Sequence, residues 1–482
     1  MHPSFASLAP TPLCDLLGCR LPLILAGMGG VARSELVAAV TEAGGFGFLG
    51  MVREPVALIR AEVEQLRQRT SRPFGVNLIP AATPAPLLRE QLALCIALRV
   101  PVVGLFWEVD AAVVAQLRAA GILVVYQVGS ALEALQAQEA GAQVLIAQGV
   151  EAGGHVRGRT PLAELLEQVL AVASVPVAAA GGIADGRSVA RVLDQGAQAA
   201  VLGTALMATQ EAFAHDAHKQ RLVAAQAGDT LLTEDFHLNW PPHAAVRVLA
   251  NSVTRGERGD PWGPGRTVIG DEEGRAIYLF STDSPLRSMT GDFEAMALYA
   301  GRGVGQITAA EPAAQCLRRI AAEAAAHGRL LAEMPVERAS PVCYAAEMER
   351  ERNAPVVARL DALLEAERAG ARLALRCAND TPQGAQRALL QSLACDAVAG
   401  CAVLRRAIRR LQAMPSARDV DFRDPARAPA DGGERLAWLH HGQAGLVRQW
   451  QELLAMAEDA SLRQEGATLL QARVACLGKL AA

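Results

Sequence analysis

A (β/α)8 TIM barrel with an inserted lid, followed by an all-α helical bundle, is the architecture this sequence predicts. Three observations predict it. Eight short apolar, β-branched runs recur through the N-terminal half, each followed by an amphipathic helical pattern. Three of those helices end on one repeated turn, Glu42-Ala43-Gly44, Ala119-Ala120-Gly121 and Glu139-Ala140-Gly141, with glycine at the helix C-cap. From Val356 onward the spacing becomes purely helical.

The strand runs are Leu23–Leu25, Gly45–Leu49, Phe74–Asn77, Val102–Phe106, Leu123–Tyr126, Val144–Ala147, Val175–Ala179 and Ala200–Gly203. Their spacing of roughly 20–30 residues is the length of one βα unit. Strict alternation favours a closed barrel, with the open doubly wound sheet as the alternative, because closure leaves no mark in a sequence. A less regular stretch follows, with Trp240-Pro241-Pro242 and Asp260-Pro261-Trp262-Gly263-Pro264. It reads as a loop-and-helix lid over about 205–305, then a closing helix from about Ala309 to Leu331. The barrel and lid thus take 1–335, and a charged linker around Glu347–Asn353 takes 336–354.

In the remainder, 355–482, Leu360, Leu363, Leu364, Ala371 and Leu375 begin a first helix. Helices over about Gln383–Ala413, Gly433–Ala457 and Ala460–Lys479 follow, with a Pro-rich loop at Pro415–Pro429. Four such helices suggest an antiparallel bundle. Glu365, Glu367, His440 and His441 read as solvated or core-edge groups, because the Glu-x-x-His pairs of di-metal bundles are absent, so no metal is expected.

Composition narrows the function classes. Half the residues are apolar (51%), aromatics are scarce (4%), and the net charge is −4, which leaves no basic footprint for nucleic acid. No apolar run approaches the roughly 18 residues of a membrane span, and the first residues, Met1–Ser7, lack the pattern of a secretory signal. Nine cysteines without a CxxC pair suggest reduced thiols and a cytoplasmic location. Cys395 and Cys401 read as core packing within one helix.

In such a barrel the chemistry belongs to the loops after the strands. Ala26-Gly27-Met28-Gly29-Gly30 follows the first strand, where missing Cβ atoms let the backbone approach a flat ligand. Ala180-Gly181-Gly182 and Leu202-Gly203-Thr204 end the seventh and eighth, the usual place for a phosphate under a helix N-terminus. Gln148-Gly149-Val150-Glu151-Ala152-Gly153-Gly154-His155 closes the sixth and sets one imidazole, able to exchange a proton near neutral pH, at the barrel mouth. His237, Trp240, His243 and Trp262 are candidates for the substrate mouth. His215, His218 and Lys219 read as a solvated helix face.

Glu151–His155, Ala179–Gly186 and Leu202–Thr204, in this order, resemble the FMN-dependent nitronate monooxygenases (2-nitropropane dioxygenases) and the related flavin-dependent enoyl-ACP reductases. The likeness runs from about Leu13 to Ala322 and includes the lid stretches starting at His237 and Tyr278. It implies FMN, with Ala26, Gly27 and Met28 beside the isoalloxazine and Asn77 near its polar edge. Gln127 stands where some relatives have lysine, Gln148, Gly153, Gly154 and Ala180 complete the cofactor set, and Gly181, Gly182, Gly203 and Thr204 hold the phosphate. His155 matches the catalytic histidine, which takes an α-proton from a nitroalkane or hydrogen-bonds a nitronate. His237 and Trp240 would face the substrate. The implied reaction converts an alkyl nitronate and dioxygen to a carbonyl compound and nitrite without pyridine nucleotide. The alternative is an NAD(P)H-dependent reductase of an enoyl thioester. The helical segment resembles a ferritin-like domain of unassigned function that trails some of these enzymes, and an interaction or oligomerisation module, giving a homo-oligomer, is the reading for it.

Overall fold

The computed structural model describes residues 8–333, 341–416 and 432–480. Met1–Ser7, the start of the expected linker and most of the Pro-rich loop therefore lie outside the described residues. The chain divides into two compact units. One comprises Met1–Glu133, Ala140–Leu166 and Val175–Glu333, and the other Ala134–Glu139, Glu167–Ser174 and Met334–Ala482.

The first unit is the closed parallel barrel. Its strands are β1 (Leu23–Leu25), β2 (Phe46–Gly50), β3 (Gly75–Leu78), β4 (Val102–Phe106), β5 (Leu123–Val128) and β6 (Val144–Gln148), then, after a two-residue strand β7 (Gly154–His155), β8 (Val177–Ala180) and β9 (Ala199–Leu202). The ring shuts where β1 pairs with β9, Leu23 opposite Ala200 and Leu25 opposite Leu202. Strands buried on both faces must be apolar throughout, which is why each was readable as a continuous run.

Side-chain volume explains the glycines inside the strands. Phe46 and Phe48 meet edge to face, ring centres 5.2 Å apart, within the barrel. A Cβ on Gly104 would come within 2.9 Å of the Phe48 ring, and one on Gly75 would collide with it. Leu13 and Leu17, on the helix Pro12–Leu17, join Ile24, Phe46, Val144 and Val201 in the same core.

The lid is not the loop-and-helix cover expected. Besides helix Asp216–Ala224 it holds two antiparallel three-stranded sheets. One sets β10 (Thr230–Thr233) and β11 (Val246–Leu249) against β7, and the other sets β12 (Val268–Glu272) between β13 (Arg275–Tyr278) and β14 (Met289–Gly291). Strands of three to five residues, interrupted by glycine and charged side chains, give too short an alternation to register in a sequence. The lid has its own core of Phe236, Val246, Val248, Leu279 and Phe280. His218 and Lys219, expected on a solvated face, are buried. The His218 ring lies between the Tyr299 carbonyl (3.1 Å) and the Ser284 hydroxyl (3.3 Å). The closing helix is Ala313–Glu333, and its Glu323 accepts from the amide of Gly186.

The second unit carries helices Pro341–Asp380, Ala385–Arg410, Gly432–Met456 and Ala460–Leu480. The first begins well before Val356, so the charged stretch read as linker is helical from Pro341, and Pro355 sits inside it. Ala385–Arg410 is long and apolar enough to cross a membrane, contrary to the reading of the sequence, but 56% of its most apolar window is buried inside the protein. Cys401 is buried as expected, whereas Cys395 is exposed. Glu367 is a larger departure. It is fully buried, accepts hydrogen bonds from Arg473 and the Trp450 indole, and so pairs a charge in the helical core.

Removing one partner of a buried ion pair strands the other charge, whereas replacing both with apolar groups can be neutral. Arg473→Met is therefore expected to destabilise the helical unit by about 3–5 kcal/mol in chemical denaturation. The double variant with Glu367→Leu should recover most of that loss. A single variant no less stable than the double would refute the pairing argument.

Candidate active site

The C-terminal ends of the barrel strands open into a cavity of about 810 Å³. Ala26, Gly27, Met28, Asn77, Gln127, Gln148, Gly153, Gly154, His155, Ala180, Gly181, Gly182, Gly203, Thr204 and Trp240 all line it. The ends of six barrel strands and one stretch of the lid, far apart in sequence, thus converge.

His155 is held by its backbone. Its residue pair forms β7, with His155 opposite Val246 and Gly154 opposite Arg247 on β11. Gln148, the last residue of β6, donates to the His155 carbonyl (2.9 Å) and accepts from the Arg157 amide (3.2 Å), closing the loop back on its own strand. Gly154, at φ +75°, occupies the left-handed region that the return needs. A Cβ on Gly153 would come within 2.5 Å of the Gly301 amide, so lid and loop touch backbone to backbone.

Aromatic rings wall in the imidazole. It stacks on Trp240 with centres 3.3 Å apart and planes 13° apart, and Trp107 stands edge-on to both. Tyr299 approaches at 5.9 Å. His155 keeps some exposed surface, but its Nε2 is sealed from solvent and has no hydrogen-bond partner among the described residues. Burial pushes its pKa well below histidine's usual value, and the nearby positive charge of Arg53 adds to the effect. The ring is therefore neutral at pH 7.

His237 is not among the lining residues. It stacks on Trp262, 4.0 Å away, and its Nδ1 faces the Asp235 carbonyl. Of the two lid residues expected to face a substrate, Trp240 is the one placed at His155. Arg53, Trp107 and Tyr299 were not singled out from the sequence. Arg53 follows β2 as the first charged residue after a barrel strand, which was a usable signal. Trp107 and Tyr299 acquire their places only through the fold.

The phosphate-type loops differ from expectation in one respect. The helix Gly186–Asp194 already has an acid at its N-terminus: Asp185 accepts from the Ser188 amide in a capping box, and Glu323 takes the Gly186 amide. The amides of Gly181 and Gly182, which line the cavity, have no acceptor among the described residues. An anion would thus be met by this loop, not by the helix end. The Thr204 hydroxyl accepts from the Gly301 amide (2.9 Å). No group of His, Cys, Asp and Glu suited to a metal occurs among the described residues.

Fold and site together define a barrel oxidoreductase. The chain belongs to the nitronate monooxygenase family, whose sequence profile matches residues 10–323. Residues 354–480 match a separate family described as a domain of unknown function (DUF6306). A Staphylococcus haemolyticus protein named "Probable nitronate monooxygenase" is 31% identical over 306 residues, half of this chain and 85% of that one. A Rhodococcus jostii protein named as a 5-hydroxy-7a-methyl-1-oxo-octahydro-1H-indene-4-carboxyl-CoA dehydrogenase is 34% identical over 244 residues, 50% of this chain and 67% of its own. Among solved structures, FabK from Thermotoga maritima matches with TM-score 0.58 and 29% identity, covering 67% of this chain and 98% of its own. A nitroalkane oxidase from Streptomyces ansochromogenes matches with TM-score 0.55 and 32% identity, covering 67% and 99%.

The buried histidines make a prediction about acid stability. Burial pushes His218 down to about 4, while an unfolded histidine titrates near 6.5. Between those values the unfolded chain binds the extra proton, so stability is retained above about pH 6.5 and falls as pH drops toward 4. Because carboxylates also titrate there, the readout is a difference. Between pH 7 and 4.5, His218→Gln should lose about 2–3 kcal/mol less than the parent in urea unfolding. Equal losses would show that His218 titrates normally.

Proposed function

We propose that this chain oxidises alkyl nitronates with dioxygen to carbonyl compounds and nitrite, using FMN held in the cavity. The single observation that carries the reading is the His155 Nε2, buried and without a hydrogen-bond partner among the described residues, on a side chain that lines a glycine-rich pocket. A buried polar atom without a partner is costly unless a ligand supplies one.

The pocket fits a flat phosphorylated cofactor. A Cβ on Gly27 would come within 2.7 Å of the Asn77 Cγ, so this glycine lets Asn77 pack against the loop and fixes its amide, whose Nδ2 donates to the Gly104 carbonyl. Gly203 has no atom nearer than 4.0 Å to a Cβ position, leaving that side open. Gly181 and Gly182 offer two free amides to a phosphate. Gly27, Met28, Asn77, Gln127 and Gln148 would hold the ring system, and Gly181, Gly182, Gly203 and Thr204 the phosphate. When bound, FMN supplies electron acceptance and the reaction with dioxygen.

The chain's own residues bind, orient and exclude water. Trp240, Trp107 and Tyr299 close around His155 and keep the proton-handling group dry. Its unpartnered Nε2 is the atom assigned to the substrate, which reaches it when the stacked Trp240 indole shifts. A base whose conjugate acid lies well below pH 6.5 has little driving force to remove a proton from a neutral nitroalkane. The same neutral ring can hydrogen-bond a nitronate oxygen through an N–H, a contact that needs no proton to be taken from the substrate. The site therefore suits a nitronate already formed better than the neutral nitroalkane.

The FMN-bound protein, supplied with a small alkyl nitronate and no NADH, should consume oxygen and release nitrite, and should turn over the matching nitroalkane at least tenfold more slowly. His155→Ala with FMN retained should lower kcat/KM for the nitronate by roughly 10–100-fold, the worth of one hydrogen bond to a charged group. A variant with full activity sinks the role of His155. The likeness to a carboxyl-CoA dehydrogenase favours one other reading, a pyridine-nucleotide-dependent enzyme of a thioester. Absence of oxygen uptake, together with anaerobic bleaching of the flavin by NADH, would select it.

A further inference from the structure

We propose that Arg53 is the residue that grips the substrate's nitro group, taking both oxygens of a nitronate, or of a carboxylate of the same shape, in its guanidinium fork. The proposal rests on the nitronate reading for its substrate, but its evidence is separate.

Arg53 lies in the loop after β2 and lines the cavity. Its backbone sits at φ +58°, a left-handed conformation that costs a non-glycine residue about 1 kcal/mol, so the surroundings must hold it there. Two contacts do so from the lid. One terminal nitrogen donates to the Asn239 carbonyl (2.6 Å) and the other to the Thr282 hydroxyl (3.2 Å). The side chain is thereby fixed with three of its five N–H groups uncommitted.

Its charge is balanced only at a distance, by Asp283 and Glu54. No carboxylate forms an ion pair with Arg53 among the described residues, and Asp283, the acid that bears on it most, is committed to Arg275 at 3.0 Å. Three other arginines of the lid do form ion pairs, Arg221 with Glu294, Arg258 with Asp292 and Arg275 with Glu272, whereas buried Arg247 and Lys219 donate to backbone carbonyls of Val150 and Gln210. A half-buried guanidinium left alone beside a cavity is unfavourable until an anion arrives.

The chemistry of that anion follows from the donor. Guanidinium is planar and offers paired, parallel N–H groups, the match for two oxygens on one planar centre that share a negative charge. A nitronate presents O–N–O in that geometry, and a carboxylate presents O–C–O. Phosphate belongs to the free amides of Gly181 and Gly182, on the loop after β8. Burial is the main cause of the depressed His155 pKa and Arg53 adds to it, so an anion seated on Arg53 satisfies the fork and removes the smaller of the two effects on the imidazole.

The test is propionate binding to the FMN-bound protein by calorimetry, alongside oxygen uptake with propyl-1-nitronate. Propionate should bind the parent and compete with the nitronate. Arg53→Met should weaken propionate by roughly 10–100-fold, the worth of a charge-assisted hydrogen-bonded pair, and raise KM more than it lowers kcat. Arg53→Lys, which keeps the charge and loses the fork, should fall between, and it carries the test alone if the methionine variant does not retain FMN. Unchanged propionate affinity in either variant overturns the proposal, as does a parent enzyme that turns over nitronate but binds no propionate. Arg53-dependent propionate binding without any oxygen uptake would keep the anion subsite and remove the nitronate reading instead.

Discussion

The site depends on one short pairing, Gly154 and His155 against β11 of the lid. Two residues of a barrel loop become an edge strand of a different sheet, and everything chemical hangs on that exchange. Around it, the Val156 amide donates to the Ala245 carbonyl, Arg247 Nε to the Val150 carbonyl, and the Arg302 amide to the Glu151 carbonyl. The loop that carries the histidine is thus stitched to the lid along its length, with main-chain groups doing most of the work. Side-chain substitutions at the rim can alter the pocket without releasing the imidazole.

Burial of His155 follows from that pairing. With the ring position set by backbone, Trp240 and Trp107 can pack on it without the ring turning away, and the desolvation that results keeps it neutral. A freely rotating histidine at a barrel mouth would reach water and titrate near its ordinary value. The lid therefore does two jobs through one contact: it orients the ring and sets its protonation state. Buried Lys219 and His218 stand on the neighbouring lid helix, so the same low-dielectric wall continues behind the site.

Legibility in the sequence divides along physical lines. The barrel strands were readable because parallel strands covered on both faces are unbroken apolar runs, and the glycine loops because close packing, of Gly27 on Asn77 and of Gly153 on Gly301, excludes side chains at particular positions. The lid sheets were not, since β11 and β12 mix apolar with charged residues and glycine over four or five positions. His155 could be named from Gly153-Gly154-His155 after a strand, but Arg53 and Tyr299 owe their roles to neighbours distant in the chain. His237 was misplaced for a related reason: Trp262, which draws it away by stacking, is remote from it in sequence. Glu367 was read as solvated or core-edge because its partners Trp450 and Arg473 stand on other helices.

Strain around the cavity separates ordinary turns from residues held in place for a purpose. Glu273 also has positive φ, but it precedes Gly274, likewise positive, in the β12–β13 hairpin, where such turns match the strand twist. Arg53 (+58°), Trp107 (+77°) and Asn239 (+74°) have no such excuse, and a bulky residue like Trp107 is rarely found there. These three meet in space: Asn239 accepts from Arg53, and its neighbour Trp240 packs on Trp107 and His155. Each costs on the order of 1–2 kcal/mol, which a large barrel core offsets easily. Three of the eight non-glycine residues with positive φ among the described residues thus meet where the lid packs on His155. Relaxing Arg53 or Asn239 to ordinary backbone angles would redirect the chain that carries the guanidinium and the indole, so these conformations go with the contact of Arg53 on Asn239 and the stacking of Trp240 on His155.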